Sequence, residues 1–492
     1  MDTNVFNSLR KLESDERVDL KLILVFLLFV SITRMILETL VGSSDYVTNT
    51  NLPTFLLVFT FYGFALVSYT FFLSLCSGKK PMNMARLLTP FLLLALLVPL
   101  LDYFITGYPV TYQMSSISDF DILRISSNNP IGESIILWLI PFLSALYVFF
   151  ERKSIKRSIL TFIVIFLVPI LLATDIADLL NLGRGLFFLY ATTGSIVLLL
   201  LMFYMQNEEK FGYLFTRFVR RMNRVILYLI IFFFGIATAG SIFAVNFLGI
   251  HVLILLMISF IAMCVDDYYD HPVDRANRKA NILDLLTKED VKNIILVSCV
   301  VLIPFLSFIF EGVGSVMFVY YMISLLSLAF LYSYRNFLKT SLFPLNYLVD
   351  ALSYSITFMA GRSVFVVHAP SEFLYFILVI LIFFFLIPMK DYEDYEGDRK
   401  FGIKTLYTIL GFEKAFKVCK LLLVVALLLT GLLFLLVLPP LSYLEIIIFY
   451  VIPSVVLVPF MVIRFRRSED FETSLWIFDI LLVVYLVPLL LL

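Results

Sequence analysis

Apolar runs long enough to cross a bilayer recur along the whole chain, and this repetition limits the fold more than any other feature. A helix needs roughly 20 apolar residues to span the hydrocarbon core. About fifteen runs qualify, beginning near residues 20, 54, 87, 134, 157, 186, 224, 249, 291, 314, 343, 371, 415, 442 and 472. No water satisfies backbone N–H and C=O groups inside lipid, so a spanning segment must be a helix or part of a closed barrel. Runs of this length are helical. The expected fold is therefore an all-α polytopic membrane protein of about fifteen transmembrane helices. Only 15% of the 492 residues are charged and 61% are hydrophobic, whereas soluble domains carry about 25% charge. The 37 basic residues balance 37 acidic ones, which points to no nucleic-acid partner and leaves membrane lipids as the surroundings.

Lys and Arg in short loops mark the cytoplasmic side, and their placement checks the helix count. They precede the first helix (Arg10, Lys11, Arg17, Lys21) and follow the second (Lys79, Lys80, Arg86), fourth (Arg152, Lys153) and sixth (Lys210, Arg217, Arg220, Arg221). The pattern continues after the eighth (Arg275, Arg278, Lys279), tenth (Arg335, Lys339), twelfth (Lys390, Arg399, Lys400) and fourteenth (Arg464, Arg466, Arg467). This alternation sets the N-terminus in the cytoplasm and the C-terminus outside. The stretch "QNEEKFGYLFTRFVRRMNR", Gln206 to Arg224, reads as an amphipathic helix lying along the interface. It divides a six-helix region of unknown role (1–205) from a nine-helix bundle (224–492), with 206–223 as the linker. The polar N-terminal stretch lacks the parts of a signal peptide, so the first helix is expected to remain as an uncleaved start. Cys76, Cys264, Cys299 and Cys419 lie far apart, without CxxC or Cys/His spacing, and read as packing residues of membrane helices.

Two acidic stretches interrupt this apolar pattern, each directly after a long run and both on the basic side. "VDDYYDHPVDRANRK" (Val265 to Lys279) holds Asp267, Asp270 and Asp274; "KDYEDYEGDRKFGIKTL" (Lys390 to Leu406) holds Asp391, Asp394 and Asp398. Both have the form DxxDxxxD. On a helix, spacings of three and four return to one face, so each set can aim its carboxylates at a common point. Pro272 can kink or end the first helix, which would place Asp274 on the loop beyond. Carboxylates so close stay ionised only when cations neutralise them. Mg²⁺ suits them, because it takes oxygen ligands and is commonly held by one or two carboxylates plus substrate phosphates. Solvated acids at helix ends would explain one cluster; two with matching spacing on one side favour a shared role.

These motifs resemble those of the UbiA superfamily of intramembrane prenyltransferases, which carry NDxxDxxxD after the second helix and a DxxDxxxD-type motif after the sixth. Counted from Arg224, the clusters follow the second and sixth helices of the nine-helix unit, and the second resembles the family's DxEGDRxxGxxTL pattern. Asp266 stands where the family has Asn, and "ANRKANIL" lacks the Arg-Pro pair that commonly follows the shared Asn277. The resemblance covers about residues 210–492. It implies Mg²⁺-dependent ionisation of an allylic prenyl diphosphate and attack on the carbocation by a lipophilic acceptor, a quinone or glycerolipid precursor. It also implies that the six motif aspartates hold metal and that Asn277, Arg335, Lys339, Lys390 and Arg399 contact substrate, with Tyr332, Tyr334 and Asn346 shielding the cation or orienting the acceptor. The basic candidates are also explained by the charge bias of cytoplasmic loops, and the tyrosines by interfacial anchoring.

Asp350 lies within the eleventh helix, and an acid in a membrane segment is a candidate for proton transfer from the acceptor or for a polar contact. His271 reads as a loop residue, Arg34 and Glu38 as a pair one turn apart, and Asp175 and Asp178 as interfacial acids on the outer side. A cation-coupled transporter is the rival class, but its acids usually sit at the midplane on broken helices rather than at helix ends beside bases. A noncatalytic homologue is the other alternative, raised by the altered first motif and opposed by the intact second one.

The topology is open to test by single cysteine substitutions read with an impermeant thiol reagent on intact cells. Lys79→Cys, Lys153→Cys, Arg275→Cys and Lys400→Cys should be protected, and Asn49→Cys and Asn128→Cys labelled. Labelling of position 400 from outside would reverse the orientation.

Overall fold

The structure, a computed structural model, describes residues 3–41, 52–106, 131–173, 185–239, 248–277, 279–309, 316–334, 343–365, 372–392 and 394–437. All regular structure among them is helical. Nine of these helices are long and apolar enough to cross a membrane, and two shorter ones are apolar. The chain is an integral membrane protein. Helices begin at or near every expected start from residue 20 to residue 415; those near 442 and 472 lie outside the described residues, as do Arg335, Lys339, Asp175 and Asp178.

In chain order the helices are α1 (Thr3–Glu13), α2 (Leu20–Val41), α3 (Leu52–Ser77), α4 (Pro81–Leu88), α5 (Leu94–Thr106), α6 (Ile131–Arg152), α7 (Ile155–Ala173) and α8 (Gly185–Gln206). Then follow α9 (Glu208–Arg220), α10 (Met222–Ala237), α11 (Leu248–Ala276), α12 (Lys288–Phe308) and α13 (Val316–Ser333). The last are α14 (Leu345–Arg362), α15 (Glu372–Leu386), α16 (Tyr395–Phe401), α17 (Leu406–Leu410) and α18 (Phe412–Val437). They form two compact units, Met1–Phe211 with Val300–Gly312, and Gly212–Cys299 with Val313–Leu492.

In unit 1 the run near residue 87 is a broken span. Pro81 opens α4 at a position where its missing N–H costs nothing, and a 3-10 segment over Thr89–Leu93, containing Pro90, joins α4 to α5. The turn after α3 uses Gly78 at φ 68°, and the turn between α6 and α7 uses Lys153 at φ 52°. The core packs Leu73, Met84, Val148 and Ile165. Arg34 and Glu38 form the buried pair their spacing suggests, and Arg34 also donates to the Ala95 carbonyl at 2.5 Å.

In unit 2, α14 is the central helix, packed against α10, α13 and α15, with α18 behind α15. Backbones meet where α10 crosses α14. A Cβ on Gly235 would lie 2.1 Å from the Phe358 carbonyl oxygen, and one on Gly361 would lie 2.1 Å from that of Phe232. Small residues permit such approach in membranes, where dispersion contacts rather than water exclusion hold helices together. Arg362, one residue on, is buried with Glu372 at 3.1 Å and donates to the Thr238 carbonyl and hydroxyl at 3.0 and 2.7 Å. Gly361→Val should therefore force α10 and α14 apart and destabilise unit 2 by roughly 3 kcal/mol. Gly431, on α18, has open space around it, so Gly431→Ala is the matched control. Equal melting temperatures of the two variants in detergent would refute the crossing's importance.

Candidate active site

The first acidic set occupies the last turns of α11. The helix runs through Pro272 to Ala276, so Asp274 lies on it rather than on a following loop. Proline there forfeits only the bond to the carbonyl four residues earlier, and the turn is held from outside: Asn281 donates to Asp274 at 2.7 Å and to the Asp267 carbonyl at 2.9 Å. The second set is divided between two elements. Asp391 lies in the last turn of a 3-10 segment (Ile387–Tyr392), Asp394 is the N-cap of α16, and Asp398 lies within it. Backbone bonds from Asp394 N–H to Asp391 O and from Asp398 N–H to Asp394 O keep the helical sense across the junction. Gly402, at φ 69°, ends α16.

The two sets face one polar cavity of about 220 Å³, reached by Asp266, Asp270 and Asp274 from α11 and by Asp391, Asp394 and Asp398 opposite. Arg217, Arg220, Arg221, Arg224, Lys279 and Lys390 line it as well. A second cavity of about 250 Å³ shares Arg221, Arg224, Asp266, Tyr332 and Lys390 with the first and is otherwise mainly apolar, with Leu227, Ile258, Leu325 and Tyr354 in its wall. One chamber is thus polar and the other greasy, with a common neck.

Asp267 is the exception among the motif aspartates. It is fully buried, lies outside the cavity lining, and is gripped by Arg217 (3.0 Å), by Arg221 and by the Ile282 N–H (3.1 Å). Its neighbour Asp266 reaches the neck instead, bonded to Arg221 at 3.1 Å. Asn277 fastens the two sets together, accepting from the Gly397 N–H at 2.8 Å and donating to Asp394 at 3.3 Å. Lys279 pairs with Asp394 at 2.5 Å. Tyr347 donates to buried Asp391 at 2.6 Å while accepting from the Leu406 N–H at 2.9 Å. Lys390 is ion-paired with Asp350, which lines the apolar chamber, and lies 5.6 Å from the centre of the Tyr332 ring. Asn346 lines the polar cavity, and its buried amide oxygen has no hydrogen-bond partner among the described residues.

Other candidates stand apart. Arg399 is exposed on α16 and outside the lining, Tyr334 is exposed beside Tyr269, and His271, expected on a loop, lies on α11, 3.5 Å from Asp284. Missed from sequence were Asp266 and the α9–α10 arginines as cavity residues, and Tyr228, Ser353 and Tyr354 as chamber residues. The arginine intervals of three, one and three keep that stretch on one helical side, which was the available signal. Tyr213 docks α9 on the loop after α11, donating to the Asn281 carbonyl at 3.0 Å and to Asp284 at 3.2 Å. Burial, then the Asp284 charge, raises its hydroxyl pKa, so it remains a donor at neutral pH.

Acid-lined polar space joined to an apolar chamber within a helical bundle is the candidate site of an integral membrane enzyme. Residues 227–483 match the model of the UbiA prenyltransferase family, over half of the 492 residues, and the chain belongs to that family of transferases. Among solved structures, a UbiA homolog from Archaeoglobus fulgidus bound to GPP and Mg²⁺ is 16% identical; the match covers 56% of this chain and all of that one, with a TM-score of 0.42. A structure of digeranylgeranylglyceryl phosphate synthase is 18% identical, with 58% of this chain and all of that one covered and a TM-score of 0.40. No curated protein matches.

A Cβ on Gly397 would lie 2.4 Å from the Asn277 amide. Gly397→Ala should displace Asn277, separate the two acidic sets and lower stability by about 1–3 kcal/mol, read as a lower melting temperature in detergent. An unchanged melt would show that the link is dispensable.

Proposed function

We propose that the chain transfers a prenyl group from an allylic prenyl diphosphate to a lipophilic acceptor, with release of pyrophosphate at the cytoplasmic side. The observation that carries this reading is the pairing of two carboxylate sets and a ring of cations around one polar cavity that continues into an apolar chamber.

The residues present fit Mg²⁺. Six carboxylates and the unpartnered Asn346 oxygen offer hard oxygen donors around one space. Among the described residues no three acids converge as a preformed metal cluster, so an ion held here would take its remaining ligands from substrate phosphates and water. Asp270, Asp274, Asp391, Asp394 and Asp398, with Asp266, are the proposed holders. Bound there with the diphosphate, Mg²⁺ supplies neutralisation of charge on the departing pyrophosphate.

The chain's own residues do the rest. Arg217, Arg220, Arg221, Arg224, Lys279 and Lys390 surround the diphosphate and donate charge-assisted hydrogen bonds to its oxygens. The prenyl chain extends past the neck into the apolar chamber. Tyr228 and Tyr354 stack at 4.7 Å in its wall, and Tyr354 stacks in turn on Phe383 at 4.1 Å, which makes this side of the chamber a rigid aromatic stack. When the C–O bond breaks, its electron pair leaves with pyrophosphate. The acceptor then bonds to the prenyl carbon, and Asp350 at the neck takes the acceptor's proton. Asp267 acts as a positioning residue that fixes α9 and its arginines.

Asp270→Asn and Asp394→Asn should each lower transfer on the order of 100-fold or more while leaving the protein folded. Asp267→Asn should instead lower the melting temperature, because it weakens the pairing of a buried carboxylate with two half-buried arginines. Purified variants would be assayed across a Mg²⁺ titration for labelled product and released pyrophosphate. Full turnover without divalent metal would refute the mechanism, and ion flux in vesicles without pyrophosphate release would favour the transporter reading.

A further inference from the structure

Unit 1 holds an apolar pocket of about 200 Å³, partly open to its surroundings, that shares no residue with the chambers of unit 2. Leu9 of α1, Leu73 of α3, Leu87 of α4 and Ile140, Leu143 and Tyr147 of α6 form its wall. Protein interiors hold few voids larger than a water molecule. An apolar void stays dry, and when empty its wall lacks dispersion partners on one side. In a membrane the filler at hand is a hydrocarbon chain.

One end of the cavity, by Leu9, Tyr147 and Phe150, meets a charged cluster. Arg10 pairs with Glu151 at 3.2 Å, and Lys79 pairs with Glu13 at 3.2 Å and Glu151 at 2.8 Å. The Tyr147 hydroxyl donates to Glu13 at 2.9 Å, and Arg152 donates to the Ser77 carbonyl. Lys153 stands 5.3 Å from the centre of the Phe150 ring. Four cations therefore meet two carboxylates, a net positive rim. The Arg10 side chain is 55% exposed and that of Lys79 30%, so each can meet an incoming anion by sharing the charge it now gives to Glu151 and Glu13. The hydrogen bond to Glu151 raises the Lys79 pKa, with burial acting against it, and the ammonium stays charged at neutral pH.

We propose that unit 1 binds one amphiphile, a hydrocarbon chain ending in a phosphate or diphosphate, with the chain in this cavity and the anionic head against Arg10 and Lys79. Two sources supply that chemistry, a single-chain phospholipid and a prenyl diphosphate. The site stands independently of catalysis in unit 2.

The test uses purified full-length protein and two photoreactive diazirine probes, a farnesyl diphosphate analogue and a lysophosphatidic acid, with labelled peptides mapped by mass spectrometry. At least one probe should label the 81–93 or 140–150 peptides saturably, and excess unlabelled compound should suppress that labelling. Leu143→Trp, which fills the cavity, should reduce it by at least about fivefold and leave labelling of unit 2 unchanged. Labelling by the prenyl probe alone assigns a prenyl diphosphate, and by the lysolipid alone a membrane lipid. Competition on the unaltered chain does not depend on the variant's folding. Unsaturable or uncompeted labelling overturns the site, and equal competition by uncharged farnesol overturns the anionic head.

Discussion

Asp267 is sealed from water, and two arginines and a backbone N–H converge on it. A buried carboxylate without partners costs several kcal/mol, so the end of α11 is stable only when α9 and the loop at Ile282 are docked around it. The same docking brings Arg217 and Arg221 to the wall of the polar cavity. Asn281 extends the arrangement by bonding Asp274 as well as the Asp267 carbonyl. One buried charge thus fixes the orientation of the carboxylates that face the cavity and the position of the cations that oppose them.

Opposed charge also governs the neck between the chambers. Lys390 and Asp350 meet there as an ion pair, beside the Tyr332 ring. Each charge would be expensive alone within a membrane segment, and together they place a cation toward the polar side and a carboxylate toward the apolar side. The pairing makes a sharp change of polarity tolerable over a short distance.

Much of the fold could be read from the sequence because lipid leaves so few options: a long apolar run has to be a helix, and the described helices start near the expected residues. The site was legible in its second half, where Asp391, Asp394 and Asp398 all reach the cavity. The first half was harder to phase. Helical period places Asp266 and Asp267 about 100° apart, but which one faces the cavity depends on where α9 docks, roughly 50 residues earlier in the chain. The arginines of α9 were hidden for a different reason, since the charge bias of cytoplasmic loops accounts for them equally well. Pro272 misled because a proline near a helix end forfeits little, and contacts from Asn281 hold the turn beyond it.

The glycine contact between α10 and α14 also bears on the shape of the apolar chamber. With Gly235 and Gly361 each against the other helix's backbone, the two helices cannot slide or spread without losing contact along their length. Tyr228 of α10 and Tyr354 of α14 project from this pair into the chamber, and Tyr228 shares a 2.7 Å hydrogen bond with Ser353. One wall is therefore a fixed edge. The wall across from it is built partly on α13 by Leu325, Leu328 and Ala329, whose side chains can be exchanged for larger or smaller ones without disturbing the glycine seam. The chamber therefore has one wall held by backbone contact and another, on α13, through which side-chain size alone can change its volume.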